Sequence, residues 1–210
     1  LGVANDADWA GAKYFDTTLA PAGKPMWWTG AQWVDAQGTA GRGAQAIVNV
    51  EDYAVGNADF QHTDGLWYTD SSHTVLATDD TAAIRALVTA GARHLRFGSR
   101  RYRIQWTQQT SFLSWVFANG VTIEGNGAVL CDTSTYTMNP ADPYTPVFQF
   151  DACSNIKVSG VEYIGPTLAT PATEHGYKGA TYLRAKNGCS NINVDAKITN
   201  ARYGVEAGSY

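Results

Sequence analysis

The stretches ACSNIKVSG (residues 152–160) and GCSNINVDA (residues 188–196) share the pattern C-S-N-I-x-V at an offset of 36 residues. A third stretch, GVTIEG (residues 120–125), matches the second half of this pattern. A short alternating strand that recurs at such a period is typical of a chain in which each structural unit stacks on the previous one. The repeat therefore predicts a parallel β-solenoid. An antiparallel sandwich is the alternative, but it would not explain why the same letters return.

The alternation within the repeat predicts which side chains stack inside. Ile156 and Ile192 are expected to lie above one another in the interior, while Lys157 and the other alternate residues face out. Asn155 and Asn191 are candidate structural residues, because they fall in a turn where stacked amides can satisfy backbone groups.

The three cysteines predict neither a disulfide framework nor a zinc site. Cys131, Cys153 and Cys189 are odd in number and have no C-x-x-C spacing. Cys153 and Cys189 align in the repeat, but the Cβ vectors of stacked residues run side by side. We therefore expect free thiols.

The composition bounds the class of protein. Of the 210 residues, 44% are hydrophobic and 16% are charged, so the chain is expected to bury one or two cores. The 21 glycines, 11 tyrosines and 7 tryptophans favour turns and strands, which predicts a mainly β protein. The net charge of -4 argues against a nucleic-acid binder, because duplex affinity rests on many phosphate-neutralising cations.

The sequence carries no signal for membrane insertion or for a bound cofactor. No apolar run approaches the ~20 residues that a membrane-spanning helix needs, and no N-terminal signal pattern is present. The histidines show no metal-ligand spacing, so we expect no cofactor and no metal. Because the sequence opens with Leu1 and stops at Tyr210 inside a strand-like pattern, we expect a piece of a longer chain.

The stretch TDDTAAIRALVTAG (residues 78–91) predicts an amphipathic helix at about residues 80–90. Ile84 and Leu87 follow helical spacing. Asp79 or Asp80 can accept hydrogen bonds from the free N–H groups of the first turn, which makes both candidate structural residues. Gly91 sits where a left-handed residue ends a helix.

The stretch from residue 78 to residue 104, TDDTAAIRALVTAGARHLRFGSRRYRI, resembles the opening of the pectate-lyase-type right-handed β-helix superfamily. In that superfamily a helix caps the first coil and a pair of strands follows. The repeat from 118 to 208 is similar to its N-I-x-V/I-x-G rungs, although the longer HTDGLWYTDSSHTVLATDD replaces the usual short approach to the helix. The resemblance implies a mainly β chain that holds the first coils of a helix-capped right-handed parallel β-helix.

The stretch YFDTTLAPAGKPMWWTGAQWVDAQGT (residues 14–39) resembles a segment of many bacteriophage tail-fibre and tailspike proteins. In such a segment Trp27, Trp28 and Trp33 would pack a small β-hairpin module and have a structural role. The alternative is that these rings stay exposed and form a sugar-stacking platform.

Together the two resemblances imply a bacteriophage tailspike. They divide the chain into a virion-attachment module at 1–45, a neck or linker at 46–76, and the start of the β-helix at 77–210. The implied protein is a homotrimer of the virion tail, assembled in the host cytoplasm and fixed through its N-terminal region to a phage baseplate or tail protein. It would recognise host capsular polysaccharide or lipopolysaccharide and, in full length, degrade it, either as a glycoside hydrolase or as a lyase that cleaves by β-elimination. The trimer is expected to bury three further rings: Trp67, Tyr68 and Trp106.

Two other classes of function stay open. One is a non-enzymatic structural or adhesive tail fibre, and the other is a free pectate-lyase-like polysaccharide-degrading enzyme. The tail-type segment at 14–39 and the missing signal pattern speak against the free enzyme.

The sequence does not identify catalytic residues. Hydrolysis of a glycan needs two facing carboxyl groups about 5–9 Å apart. On the repeat, Glu162 aligns with Ile198 and Asp195 aligns with Ser159, so no acidic pair is expected on adjacent rungs. The catalytic residues are therefore unknown and are expected beyond Tyr210.

A basic cluster supplies the candidate glycan-binding residues. Five arginines fall between Arg93 and Arg103. The guanidinium groups of Arg96, Arg101 and Arg103, together with the ring of Trp106, could bind acidic sugars or phosphate. The alternatives are that the arginines face solvent at alternate strand positions, or that they meet carboxylates of a neighbouring subunit.

Overall fold

The structure is a computed structural model that describes residues 13–16, 24–28, 33–34, 47–106, 111–134, 146–166, 180–201 and 203–208. The chain divides into two compact units, Leu1–Ala46 and Ile47–Tyr210. The first unit holds an antiparallel sheet of β1 (Lys13–Asp16), β2 (Lys24–Trp28) and β3 (Trp33–Val34). Trp28 pairs with Trp33 across β2 and β3, as a hairpin requires. The packing of the Trp27, Trp28 and Trp33 rings lies outside the side chains that the structure describes.

The second unit is mainly β and has one α-helix among its described residues. Its first part contains β4 (Val48–Asn49), a 3₁₀ turn (Val50–Asp52), β5 (Phe60–Gln61), β6 (Trp67–Tyr68) and α1 (Thr81–Thr89). The strands that follow are β7 (His94–Arg96), β8 (Arg101–Ile104), β9 (Leu113–Val116), β10 (Thr122–Asp132), β11 (Pro146–Asp151), β12 (Ser154–Ile164), β13 (Thr181–Lys186), β14 (Ser190–Thr199) and β15 (Tyr203–Gly208). Within the described ranges, no helix has the length and apolar character needed to cross a membrane.

The larger strands form two parallel sheets that the chain visits in turn. Strands β9, β11, β13 and β15 form a four-stranded sheet. Strands β10, β12 and β14 continue a six-stranded sheet that begins with β4 and β7, and β8 pairs with the second half of β10. Each connection after β9 therefore carries the chain from one parallel sheet to the other, so each strand pairs with the strand two places later.

The register confirms the stacking that the repeat predicted. Ile156 pairs with Ile192 across β12 and β14, and Lys157 pairs with Asn193. Ile156 is 2% exposed, whereas Lys157 is exposed, because successive side chains of a strand point to opposite faces. The three cysteines are free thiols, as expected from the same alignment.

A bulge moves the register in the second half of the strands. The shift lies between Ser159 and Val161, so Glu162 pairs with Lys197 and not with Ile198 as the uninterrupted repeat predicted. The extra residue is Gly160, which has a φ of +68°. A period-two reading of sequence cannot foresee an unpaired residue, because the letters on either side still alternate.

The asparagines of the repeat line one corner between the two sheets. Asn155 and Asn191 adopt left-handed backbone conformations, with φ of 54° and 52°. The Asn191 amide donates to Asn155 Oδ1 at 2.5 Å, and the Asn155 amide donates to Asn119 Oδ1 at 2.8 Å. The result is a ladder of amides across three successive connections, and the left-handed conformation of Asn155 and Asn191 is one that asparagine tolerates better than most residues.

The core lies between the two sheets and is rich in aromatic rings. Trp115 of the four-stranded sheet stacks on Phe150 with ring centroids 5.2 Å apart. Tyr102, Phe148 and Tyr163 are fully buried in the same cluster. Ile84 and Leu87 of α1 join this cluster, so the predicted apolar face of the helix packs on the core.

The ends of α1 follow from local hydrogen bonding. At the N-terminus, Asp79 Oδ1 accepts a hydrogen bond from the Thr81 N–H at 3.0 Å. Asp80 makes no such cap bond; its carboxylate instead accepts from the N–H groups of Val55 and Gly56. At the C-terminus, Gly91 has a φ of +89° and its N–H donates to Val88 O, which closes the last turn.

Candidate functional site

The outer face of the six-stranded sheet falls into two halves. A run of polar residues in the first half faces out; we call it the open half: His94, Arg96, Thr122, Glu124, Lys157, Ser159, Asn193 and Asp195. In the second half, residues 55–79 form a covering segment that packs on the sheet. The residues beneath it are called the covered half: Arg101, Arg103, Val129, Cys131 and Ile164.

The covering segment is held by a small apolar cluster. Trp67, Ala58 and Ala77 are buried against Val129 and Cys131, and Trp67 is 2% exposed. Burial in this cluster raises the pKa of the Cys131 thiol to about 12, so this cysteine is held as an unreactive thiol. Ala58, Trp67 and Ala77 therefore pack on the sheet of the second unit, and the first two lie in the stretch 46–76 that the sequence analysis assigned to a neck or linker.

Two of the candidate glycan-binding arginines hold the covering segment. The Arg101 guanidinium lies 5.5 Å from the centroid of the Trp67 ring, within cation–π range. Arg103 is 9% exposed, and its Nε–H donates to Ala77 O at 2.8 Å. Both guanidinium groups therefore make contacts within the chain. The sequence analysis had considered glycan binding, exposure to solvent and contact with a neighbouring subunit, but not this structural role.

Arg100 makes a third link to the covering segment. Its guanidinium donates to Val55 O at 3.0 Å and lies 3.9 Å from the Glu51 carboxylate. Arg93, the first arginine of the cluster, is exposed. The basic cluster thus serves mainly to fasten residues 55–79 to the sheet.

Trp106, the fourth candidate, lies inside the chain. It is 5% exposed, and its ring centroid is 5.3 Å from that of Phe112. Its backbone N–H donates to Ser134 Oγ at 3.0 Å. Because Trp67 and Trp106 are buried within a single chain, trimer formation is not needed to remove their rings from water. Tyr68, the third ring of that expectation, is half-buried.

Arg96, the remaining candidate, belongs to the open half and is paired there. Its Nε–H donates to Glu124 Oε2 at 2.8 Å, and His94 Nε2 lies 3.3 Å from Glu124 Oε1. The hydrogen bond from Arg96 is the main cause that lowers the pKa of Glu124. On β7 and β10, His94, Arg96 and Glu124 of the open half therefore pair with one another.

The rest of the open half carries hydrogen-bonding groups without partners. Within the part of the chain that the structure describes, five outward side chains make no hydrogen bond or ion pair with protein groups: Thr122, Lys157, Ser159, Asn193 and Asp195. They lie in two rows across β10, β12 and β14. Since adjacent strands are about 4.8 Å apart and alternate residues about 7 Å apart, all five fall within roughly 12 Å of one another.

Four of the described carboxylates, Glu124, Asp195, Glu162 and Asp80, do not combine as an acid–base pair for hydrolysis. Glu124 and Asp195 share a row with Ser159 between them, which puts their strands roughly 10 Å apart. A general acid needs a raised pKa, but the pKa of Glu124 is lowered. Glu162 is bound by Lys197 at 2.8 Å, and Asp80, whose pKa is raised by burial, is 2% exposed.

Sequence reasoning missed Glu124. The signal was present, because the alignment of GVTIEG with NIKVSG and NINVDA places Glu124, Ser159 and Asp195 at the same position. Among the residues that the structure describes, no three His, Cys, Asp or Glu side chains come together as a group that could hold a metal ion.

No family model matches the chain, and comparisons with curated proteins and with solved structures gave no match. The open half places five polar side chains without a protein partner, within the described part of the chain, on three adjacent strands.

Proposed function

We propose that this chain belongs to a bacteriophage tailspike that recognises a bacterial surface polysaccharide, either capsule or lipopolysaccharide, through the open half. The observation that carries this proposal is the set of five unpartnered polar side chains in two rows on three stacked strands. Sugar hydroxyls need donors and acceptors at short intervals, and these rows offer hydroxyl, ammonium, amide and carboxylate groups.

The proposed architecture is a right-handed parallel β-helix with α1 as its cap. Alternation of the chain between two parallel sheets supports it, since such a path coils. Crossover connections between parallel strands are right-handed in about 98% of cases, which supports the hand. The resemblance of residues 14–39 to tail-fibre segments supports a virion-attachment role for residues 1–45, through a baseplate or tail protein.

The charge of the open half favours a glycan over a nucleic acid. Arg96 is neutralised by Glu124, and the exposed Lys157 lies on the same face as the exposed Asp195. A nucleic-acid surface needs several unpaired cations in one field, because affinity comes from releasing counterions. A mixed, mostly uncharged row of donors and acceptors suits a hydroxyl-rich polymer.

Adhesion without cleavage is the second candidate function. It is favoured by the lowered pKa of Glu124 and by the pairing of Glu162 with Lys197. A depolymerase of this architecture would need its carboxyl pair outside the described residues. Incubating the protein with the polysaccharide that it binds, and measuring polymer length by size-exclusion chromatography, separates the two: shortening indicates the enzyme and unchanged length indicates the adhesin.

Threefold association is proposed through the covering segment and the residues just before it. Several large apolar side chains are exposed there, among them Tyr53 at 61%, Val55 at 48% and Val75 at 55%. Large apolar side chains that stay exposed in a single chain are typical of an interface. Light scattering at micromolar concentration is expected to give a trimer mass, and a monomer mass would contradict this part of the proposal.

The glycan proposal is tested on an array of purified capsular polysaccharides and lipopolysaccharides. We expect binding to a small subset, with about tenfold weaker binding by the double variant Lys157→Ala with Asn193→Ala, an effect of about 1.4 kcal/mol. Thr63→Ala and Ser71→Ala are controls at exposed positions of the covering segment, outside the open half, and are expected to bind normally. Absence of binding to any glycan, or full binding by the double variant, would contradict the proposal.

A further inference from the structure

One exposed aromatic ring stands at a corner between the two sheets. Phe117 follows β9 directly and is 80% exposed, and its neighbour Val116 is 55% exposed. Phe117 also has a φ of 50°, in the left-handed region. A bulky residue rarely adopts this conformation, because its Cβ crowds the following carbonyl.

The same corner recurs on the next two connections with smaller residues. Val116 pairs with Asp151, and Asp151 pairs with Lys186, so the residues that follow them are equivalent. Ala152 has a φ of 51° and Asn187 a φ of 55°. The Asn187 amide donates to Asp151 Oδ1 at 2.7 Å, which shows how a residue suited to this conformation is used.

Folding does not account for phenylalanine at this corner. An exposed ring gains little from burial, and its backbone conformation is unfavourable. A residue that is unfavourable for folding and is still displayed to solvent indicates a binding role. The position and its polar neighbours indicate which ligand it fits.

We propose that Phe117 is a stacking platform for one sugar residue of the polysaccharide bound by the open half, an inference that rests on the function proposed above. The connection that holds Phe117 leads directly into Thr122, the first open-half residue of β10. Asp151 and Lys186, on the neighbouring strands, carry charged groups that pair with each other at 3.1 Å. An apolar ring on a connection that leads into unpartnered hydrogen-bonding groups matches a sugar, whose C–H face packs on the ring while hydroxyls of the same polysaccharide reach the open half.

The size of the apolar patch argues against a protein partner. A phenylalanine ring buries about 150–250 Å². A specific protein interface buries about 1,200–2,000 Å² in total, and the polar pair next to Phe117 does not extend the apolar patch. One ring and one valine are sufficient for a single sugar residue.

The test compares Phe117→Asn, which copies the residue of the third corner, with Phe117→Trp, which keeps an aromatic ring. For the polysaccharide with the highest array signal, Phe117→Asn is expected to weaken binding about tenfold, which corresponds to about 1.4 kcal/mol. Phe117→Trp is expected to retain binding. Because asparagine tolerates the left-handed conformation, Phe117→Asn should also raise the melting temperature by about 2–4 °C.

Ala152→Asn is the matched control, since it makes the same backbone change one connection later without removing a ring. It is expected to raise the melting temperature and leave binding unchanged. Unchanged binding by Phe117→Asn, a lower melting temperature, or dissociation of the oligomer would each overturn the stacking role while leaving the glycan proposal in place. Failure of the wild-type protein to bind any polysaccharide would overturn the proposed function and the stacking role together.

Discussion

The two halves of the outer face of the six-stranded sheet lie largely on the same strands, but they differ in whether their polar side chains have partners within the chain. In the covered half, Arg101 contacts the ring of Trp67, and Arg103 donates a hydrogen bond to a backbone carbonyl of the covering segment. In the open half, Lys157 and Asn193 project from neighbouring strands without a protein partner in the described part of the chain. We therefore propose that the covered half serves stability and the open half serves binding.

The difference shows that the number of charged residues in a stretch does not indicate a binding site. Three arginines of the dense cluster, Arg100, Arg101 and Arg103, contact the covering segment, whereas the proposed ligand surface carries one lysine among hydroxyl, amide and carboxylate groups. What distinguishes the surfaces is whether each polar group already has a partner, because a satisfied group has little to offer a ligand.

The largest expected effect removes the anchor of the covered half. Trp67→Ala deletes a ring that is 2% exposed and abolishes its contact with Arg101. We expect a loss of about 3–5 kcal/mol in the free energy of unfolding, measured by urea denaturation. Lys157→Ala in the open half is the control and should change stability by less than about 0.5 kcal/mol. Equal effects of the two changes would break the distinction between the halves.

The second prediction concerns the bulge that separates the halves. A Cβ on Gly125 would lie 2.0 Å from Gly160 O, where backbone leaves no room, so Gly125→Ala is expected to lose about 2–3 kcal/mol. A Cβ on Gly98 would meet only the end of the Glu51 side chain, which can move. Gly98→Ala should therefore change stability by less than about 1 kcal/mol in the same denaturation assay. Similar losses for both variants would contradict close backbone packing at the bulge.

The third prediction concerns the start of the covering segment. Asp80 accepts hydrogen bonds from the N–H groups of Val55 and Gly56, and burial raises the pKa of its carboxyl above the ordinary 3.8. Asp80→Asn keeps one acceptor and should destabilise the fold by about 1 kcal/mol at neutral pH.

The pH dependence of this variant has a definite sign. A raised folded-state pKa means that the native state binds more protons, so the stability from Asp80 falls as pH rises from 3.8 through the raised pKa. The difference in unfolding free energy between wild type and Asp80→Asn should fall across that window in a pH series of denaturation curves. A difference that rises across the window would contradict the buried placement of this carboxyl.

The smallest expected effect lies in the open half. Glu124→Gln breaks a pair in which Arg96 is 43% exposed, so solvent screening limits the loss to about 0.5 kcal/mol at neutral pH. The pKa of Glu124 is lowered, so this stability is present above the ordinary pKa of 4.5 and is lost as pH falls through the lowered value. Denaturation of both proteins at neutral and acid pH measures it. A loss as large as that of Trp67→Ala would mean that the open half has a structural role.

Much of the parallel stacking could be read from the sequence. The repeated C-S-N-I-x-V letters placed Ile156 on Ile192, because an exact repeat fixes both period and register. The end of α1 followed from Gly91, since a glycine after an amphipathic run predicts a left-handed cap. The stacking follows from the spacing of the repeat, and the helix end follows from the residues next to it in the sequence.

The covering segment and the bulge could not be read in the same way. Nothing local in HTDGLWYTD indicates that Trp67 packs against Val129, a contact between residues far apart in the chain. The partners of Arg101 and Arg103 were hidden for the same reason. Gly160 is the extra residue of the bulge, which becomes visible only when the strands are paired. The sequence therefore aligned Glu162 with Ile198, one residue away from its partner Lys197.

The central claim is that the open half, and not the rest of this outer face, binds the polysaccharide. Two lysines on adjacent strands test this claim within one molecule. Lys157 lies in the open half, and Lys197 lies outside it with a side chain that is 74% exposed. Both are labelled by reductive methylation in the whole protein, with and without saturating polysaccharide, and read by peptide mass spectrometry. The account predicts that labelling of Lys157 falls several-fold on binding while labelling of Lys197 does not change. Bound polysaccharide that leaves Lys157 fully labelled, or that protects Lys197 to the same extent, would contradict it.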